Sequence, residues 1–488
     1  MTDVTINVPR LFAGSKIAIA TTAARFIAIT SIMASLKSSF GLNNEQVGWI
    51  GGAGLWGFPV TMLIFGSLCD SIGMRIVLRL AVLAHLGGAV IMIFANGFAM
   101  LFIGSLLLSM GDGLVQAACN PLTVTLYADR KTEMINKLHL WFPGGMVICG
   151  LIVFFANKFM ADVWQTKLVL VLVPAAIYGV LFRGQVFPAS ERVQMGVSFG
   201  QMFRETFFRP LFLLLLLCMA LTSSVELGPN TWLTPVLESA GVPGILVLVW
   251  ISLLMALLRQ LAGPMIQRVT LTGLLLCSAL LSGLGLLGLS YTHGLWSSLA
   301  AGTIFAAGVA YFWPTMIGAT AEWVPKGGSL ALALMGGVGM AAVGLIATPM
   351  MGKVADGQIH KYLTAAETAD CLQQIAEDYP ALLSKAQDKR KVDIENALQS
   401  ARSALDAQLA DTESVKPRSI AALRLAIAAA PESAAAQAAG RMLGPAENYG
   451  GRIAFRWTAL LSVVLVVIFG GLFVKDRVTG GRQRLAIQ

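Results

Sequence analysis

The chain alternates between long apolar stretches and short polar connections. Twelve stretches approach or exceed the roughly 20 residues that an α-helix needs to cross a hydrocarbon core about 30 Å thick. They run Gly14–Leu36, Gln46–Cys69, Ile76–Ala95, Phe98–Tyr127, Leu138–Met160 and Lys167–Phe182, then Pro210–Leu237, Val242–Ala262, Leu271–Ser290, Leu295–Val324, Ser329–Met351 and Ile453–Val474. Their apolar character is continuous rather than alternating, which selects helices over strands. Helices also satisfy every backbone group internally, as lipid demands. The pattern predicts an all-α membrane protein: six helices in residues 1–182, a linker at 183–209, five helices in 210–352, an insert at 353–452, a twelfth helix at 453–474 and a basic tail at 475–488.

The insert breaks the pattern. It is Ala-rich and holds half of the 26 acidic residues, nearly balanced by its bases. Ile394, Leu398, Ala401, Leu405 and Leu409 recur at helical spacing, and Pro380 and Pro431 punctuate it. The simpler reading is a solvated helical insertion. The alternative is a cap over one mouth of the protein, or a docking site.

Composition agrees with the pattern. Of 488 residues, 56% are hydrophobic and only 12% charged, about half the charge of a soluble domain. The net charge of +9 sits in short loops, so it reports topology rather than nucleic-acid binding. Arg75, Arg79, Arg130, Lys131, Arg183, Arg192, Arg204, Arg209, Arg268 and Lys326 fall on one side, with Lys475, Arg477, Arg482 and Arg484 in the tail. The other side's short loops offer only Lys37, Lys158 and Lys167. Both termini are therefore expected in the cytoplasm, with the insert outside. Residues 1–13 are short and polar and the first apolar stretch contains Arg25, so that stretch is expected to be a mature helix rather than a signal peptide.

After helix 2 comes Gly66-Ser67-Leu68-Cys69-Asp70-Ser71-Ile72-Gly73-Met74-Arg75. This resembles the G-x-L-x-D-x-x-G-x-R signature of the major facilitator superfamily, at the place where that family has it. The second-half copy, around Gly263, Pro264 and Arg268, is degenerate. The resemblance implies two six-helix bundles around a central solute site, and a conformational latch at Gly66, Asp70, Gly73 and Arg75. Gly66 and Gly73 suit close helix approach and a tight turn. Asp70 suits pairing with a cation or with a helix N-terminus of the facing half.

Helices 4 and 5 contain Gln116-Ala117-Ala118-Cys119-Asn120-Pro121 and Asn136-Lys137-Leu138-His139-Leu140-Trp141-Phe142-Pro143-Gly144-Gly145. These, with Phe40-Gly41-Leu42-Asn43-Asn44-Glu45-Gln46-Val47-Gly48, are similar to the fucose–galactose–glucose:proton symporter family. That implies uptake of a monosaccharide across a bacterial inner membrane. The chain departs from relatives in carrying Gln116 where some have a carboxylate, and Arg25 where some have an acid.

Ionisable residues at membrane depth are costly and point to function. Arg25 lies in helix 1. Asp112, Gln116 and Asn120 share one face of helix 4. Glu226 in helix 7 precedes Gly228-Pro229, where a helix break is expected to open a site. These residues make Glu226, Asp112, Arg25 and His139 the candidates for ion coupling, an Arg25–Asp112 ion pair locking two helices being the alternative for those two. Gln116, Asn120, Asn230, Trp232, Tyr311 and Trp313 are the candidates for substrate binding, since aromatic faces and amides suit a sugar. His139 is expected near the cytoplasmic end of helix 5, and Arg259 is expected to snorkel from the end of helix 8. Gly336, Gly337 and Gly339 are expected to allow close helix packing.

No catalytic set, phosphate loop or metal-ligand spacing appears; five of the six Cys read as small packing residues, and Cys371 stands alone in a polar region with no obvious disulfide partner. The expected protein is a monomeric secondary transporter with no cofactor. A proton or other ion gradient is its candidate driving force, and its partners are a small solute and the bilayer. Two rivals remain: a carrier of an organic anion or amphiphile held by Arg25, and a membrane sensor that binds without transport.

Overall fold

A computed structural model describes residues 5–40, 42, 44–159, 163–409 and 415–478. Gly41 and Asn43, the side chains of Lys37 and Lys158, and Arg482 and Arg484 of the tail lie outside the described residues. Among the described residues every regular element is helical. The first half comprises α1 (Val8–Ser39), α2 (Asn44–Ile72), α3 (Met74–Ile93), α4 (Phe98–Leu126), α5 (Lys131–His139) with α6 (Trp141–Phe159), and α7 (Trp164–Lys167) with α8 (Val169–Phe182). The linker holds α9 (Glu191–Gln194) and α10 (Phe199–Phe207). The second half comprises α11 (Pro210–Glu238), α12 (Gly244–Gln260) with α13 (Ala262–Val269), α14 (Leu271–Leu289), α15 (Leu295–Val309) with α16 (Phe312–Trp323), and α17 (Gly328–Ala342). A π-turn at Val343–Ala347 joins α17 to α18 (Thr348–Tyr362); then follow α19 (Ala365–Lys385), α20 (Asp388–Leu409), α21 (Pro417–Ala429) and α22 (Ala434–Val478).

Eleven helices of the described residues are long and apolar enough to cross a membrane, and the bent pair α12–α13 makes a twelfth. The six-linker-six layout stands. Many residues at helix surfaces are large and apolar, among them Trp56, Val60 and Ile64 on α2 and Val463, Val464 and Val467 on α22, as lipid-facing positions require.

Local chemistry explains the ends. Asn7 caps α1 by accepting from the Arg10 backbone N–H at 3.0 Å, and a proline opens both α1 and α11. Gly73 joins α2 to α3 at φ +89°, a conformation that a side chain resists. At the matching turn of the second half, between α13 and α14, Thr270 holds φ +66°, and its hydroxyl accepts from Gly273 N–H at 3.2 Å. That pair of turns is the internal repeat seen in backbone geometry, where its sequence is degenerate.

Helix 7 was expected to break at Gly228-Pro229, and it does not: α11 is continuous through Pro229 and Pro235. The breaks fall elsewhere, at Leu140 between α5 and α6, at Leu261 between α12 and α13 (a 65° bend), and at Ala310–Tyr311 between α15 and α16.

The insert is an outgrowth of two crossing helices rather than a separately tethered unit. The span that opens with α17 runs on to Tyr362, and α22 begins at Ala434. At 45 residues, α22 is about 67 Å long, more than twice the apolar thickness of a bilayer. The boundaries expected at 352/353 and 452/453 fall inside these helices, which run on through Gly352 and through Gly450 and Gly451; Gly450 lies against the Ala355 backbone, so α18 and α22 pack closely there. The insert has its own core, including Ile359, Leu372, Ile375, Tyr379, Leu398 and Leu423. Arg424 of α21 binds Asp356 of α18 at 3.0 Å and Glu447 of α22 at 2.8 Å. Asn448 Nδ2 donates to Val236 O at the end of α11, at 2.6 Å.

Candidate functional site

The residues that carry charge in the membrane region form two buried clusters, one in each half. In the first half, Arg25 of α1 pairs with Asp112 of α4, its Nε 2.6 Å from Oδ2 and its Nη2 on the same oxygen. His85 of α3 contacts the other carboxylate oxygen through Nε2 at 3.0 Å. With the proton on that nitrogen, Nδ1 accepts from the Tyr178 hydroxyl of α8 at 2.9 Å. Four helices are thereby joined, so the ion-pair reading of Arg25 and Asp112 is what the geometry displays. His85, fully buried, escaped the sequence reading. A lone histidine at the centre of an apolar helix was its signal.

In the second half the hub is Arg259. It does not snorkel: it is 2% exposed and lies deep in the fold. Its Nη2 donates to Glu226 Oε1 of α11 at 3.1 Å, its Nε to Ala310 O at 2.6 Å, and its Nη1 to His139 O at 2.9 Å. The last two acceptors share an origin. Pro314 stands four residues after Ala310, and Pro143 four residues after His139. Proline has no N–H, so each carbonyl loses its intrahelical partner. Arg259 fills both positions, one in each half. Tyr311 completes the arrangement by donating its hydroxyl to Leu258 O at 2.7 Å, beside the α12–α13 bend. Three interrupted helices thus meet at one guanidinium, the kind of backbone irregularity that lines transporter sites.

A polar seam joins the clusters. Asp112, Gln116 and Asn120 succeed one another on the same face of α4. Asn120 Oδ1 meets His139 Nε2 at 3.0 Å, and the His139 carbonyl meets Arg259. His139 is therefore not near the end of its span. The span begins at Lys131, and His139 is buried at the α5–α6 break. Along the seam, buried polar atoms have no hydrogen-bond partner: Gln116 Oε1, Asn120 Nδ2, Glu226 Oε2, Asn230 Oδ1, Trp313 Nε1 and Ser223 Oγ. Each such atom costs about 1–3 kcal/mol if nothing pairs with it. Trp313 stands where the halves meet. Its ring lies against Gly336 and Gly339 of α17, Gly336 also faces Met62 of α2, and Gly339 also faces Ser223. These glycines therefore make room for the indole and for a facing methionine as well as for helix packing. Trp232 lies apart from this group, against Gly352 at the start of the outgrowth. Asp112 and Glu226 occupy separate clusters, each with its own arginine.

The signature residues lie on the linker face, the side on which residues 183–209 run. Asp70 is paired, but not with Arg75, which is exposed. Its partner is Arg192 of the linker, Nε to Oδ2 at 2.6 Å, and the same oxygen lies beside Gly328 at the N-terminus of α17. Arg192 looked like one more basic residue of the linker, and nothing in the motif points to it. Ser329 Oγ donates to Gly66 O at 2.7 Å across the two halves. Lys131 Nζ reaches Ala321 O at 3.3 Å, Thr132 Oγ1 reaches Glu322 at 2.6 Å, and Asn136 Nδ2 reaches Thr315 Oγ1 at 3.1 Å. The linker face is closed.

A Cβ on Gly66 would overlap the Ala333 side chain. Gly66→Ala is therefore expected to force α2 and α17 apart and favour a state open on this face. Faster labelling of a cysteine placed at Leu332 by an impermeant maleimide, with the exposed Cys277 replaced by Ser, checks it. An unchanged rate contradicts it.

Residues 17–259 match the Major Facilitator Superfamily. A comparison with curated proteins finds no match. Among solved structures, the chain is similar to the Escherichia coli fucose:proton symporter FucP in its outward conformation, with 16% identity, 71% of this chain and 92% of that one covered, and a TM-score of 0.59. It is similar to the E. coli proton:xylose symporter XylE, with 15% identity, 71% and 89% covered, and a TM-score of 0.59. It is also similar to a bacterial homologue of the human lysosomal transporter Spinster, inward-facing and unoccupied, with 16% identity, 96% and 97% covered, and a TM-score of 0.58. Signature, six-plus-six layout, family match and fold agree: the chain belongs to the major facilitator superfamily.

Proposed function

We propose that this protein is a secondary active transporter that takes up a small neutral polyhydroxy solute, a monosaccharide, by alternating access. The observation that carries the reading is the set of unpaired, buried polar atoms along a seam whose charges cancel. Arg25 is balanced by Asp112 and Arg259 by Glu226. A site with donors and acceptors to fill and no net charge suits hydroxyl groups better than a carboxylate or phosphate. In this reading Gln116, Asn120 and Asn230 bind hydroxyls, and Trp313 offers both its N–H and an aromatic face. Tyr311 holds the helix break rather than the solute. Glu226 is the coupling group, because Oε2 is free to take a proton while Oε1 stays with Arg259. The linker face is cytoplasmic, the membrane is a bacterial inner membrane, and the protein works as a monomer. The fucose and xylose symporters of the same fold support the substrate class.

Counterflow of labelled hexoses and pentoses into proteoliposomes tests this. Saturable counterflow of at least one monosaccharide is expected, uninhibited by organic anions. Competition by anions with no monosaccharide flux points instead to an anion carrier. Tight binding without flux in either direction points to a sensor.

A further inference from the structure

On the insert face, where α22 enters the apolar region, two arginines have no acidic partner among the described residues. Arg452 and Arg456 stand one turn apart on the same helix face, an arrangement that is itself repulsive. Arg456 Nε donates to Ser290 Oγ at 3.2 Å, and its guanidinium lies 4.1 Å from the centre of the Tyr291 ring. Arg452 Nη1 lies 3.4 Å from His293 Nδ1, and its buried Nε has no partner. No carboxylate is recorded in an ion pair with either arginine among the described residues. The C-terminus of α14 at Leu289 faces this group, but a helix end supplies only about half a negative charge, against two positive ones. The site is short of an anion.

The surroundings say which anion. Tyr291, Trp296 and Trp457 are 60%, 82% and 57% exposed. Exposed aromatics at the ends of crossing helices mark the level of lipid headgroups. Arginine forks match phosphate oxygens. Two arginines on this face also run against the charge asymmetry of the short loops, which leaves basic residues scarce there.

We propose that Arg452 and Arg456 form a binding site for the phosphate of a lipid headgroup in the leaflet on the insert face. The bound lipid would tie the base of α22, and with it the whole insert, to the α14–α15 turn. A free phosphate ion presents the same oxygens, but it has no acyl chains to lie along Trp296 and Trp457.

The test uses full-length, delipidated protein in a neutral detergent and native mass spectrometry with phosphatidylglycerol as the probe. The wild type is expected to hold one tightly bound lipid. Diacylglycerol with the same chains, lacking phosphate, should not occupy the site. The Arg452→Gln/Arg456→Gln double variant should bind phosphatidylglycerol about tenfold more weakly or worse, the factor that one lost charge-assisted hydrogen bond produces. Equal binding of phosphatidylglycerol and diacylglycerol by the wild type overturns the proposal without relying on any variant. So does a folded double variant that binds phosphatidylglycerol as tightly as the wild type. Displacement of the lipid by inorganic phosphate at matching concentration overturns the lipid assignment in favour of a free anion.

Discussion

Arg259→Met is expected to destabilise the protein by about 3–5 kcal/mol, the usual consequence of removing one partner of a buried ion pair. Three acceptors lose their donor together: the Glu226 carboxylate and the carbonyls of Ala310 and His139. Neither carbonyl can return to its own helix, because Pro314 and Pro143 have no N–H to offer. Adding Glu226→Leu should recover the part that comes from the uncompensated charge and leave the part that comes from the two carbonyls. Unfolding midpoints of the two single variants and the double variant, compared as a cycle, separate these parts. Arg259→Lys is expected to fall in between, since an ammonium cannot present three donors in the same fixed plane. An Arg259→Met protein as stable as the wild type would remove Arg259 from the centre of the structure.

Glu226→Gln is expected to leave exchange intact and abolish accumulation. The amide keeps the size of the carboxylate and an oxygen for Arg259. It loses the negative charge and the ability to take up and release a proton. A carrier with such a change still reorients with solute bound, so counterflow persists, but a proton gradient can no longer drive it. The readout is accumulation of labelled sugar in proteoliposomes under an imposed pH gradient, beside counterflow in the same vesicles. Unchanged accumulation would shift coupling to Asp112, for which Asp112→Asn is the matching test. Loss of both activities would make Glu226 part of the binding site instead.

The spans were legible because lipid imposes one requirement, a long apolar run, that a sequence displays directly. The helix breaks were less so. Proline frees a carbonyl wherever it falls, but the helix does not open at every one. Pro229 frees Val225 O within α11 and the helix continues. Pro314 frees Ala310 O, Arg259 takes it, and the helix opens. That donor is 51 residues away in the chain, so no local pattern pairs the two. The signal that was present is the arginine itself: a charge inside an apolar span needs acceptors, and reading Arg259 as a snorkelling residue discarded it. His85 is the same case. Arg192 is a different one, because its partner Asp70 lies in a motif that contains its own arginine, and Arg75 faces solvent. The insert's ends were missed because the helices continue past the last strongly apolar residues, through Gly352, Gly450 and Gly451, which lie against Trp232, Ala355 and Val236 and serve packing rather than a turn.

Equilibrium binding of a labelled monosaccharide to purified protein tests the neutral polar site most directly, with Asn120→Leu as the comparison. Saturable binding by the wild type, weakened about tenfold or more in a variant that melts at a similar temperature, is the expected result, since Asn120 Nδ2 is one of the donors offered to a hydroxyl. Equal affinities in the two proteins, or a wild type that binds charged solutes and no sugar, would contradict it.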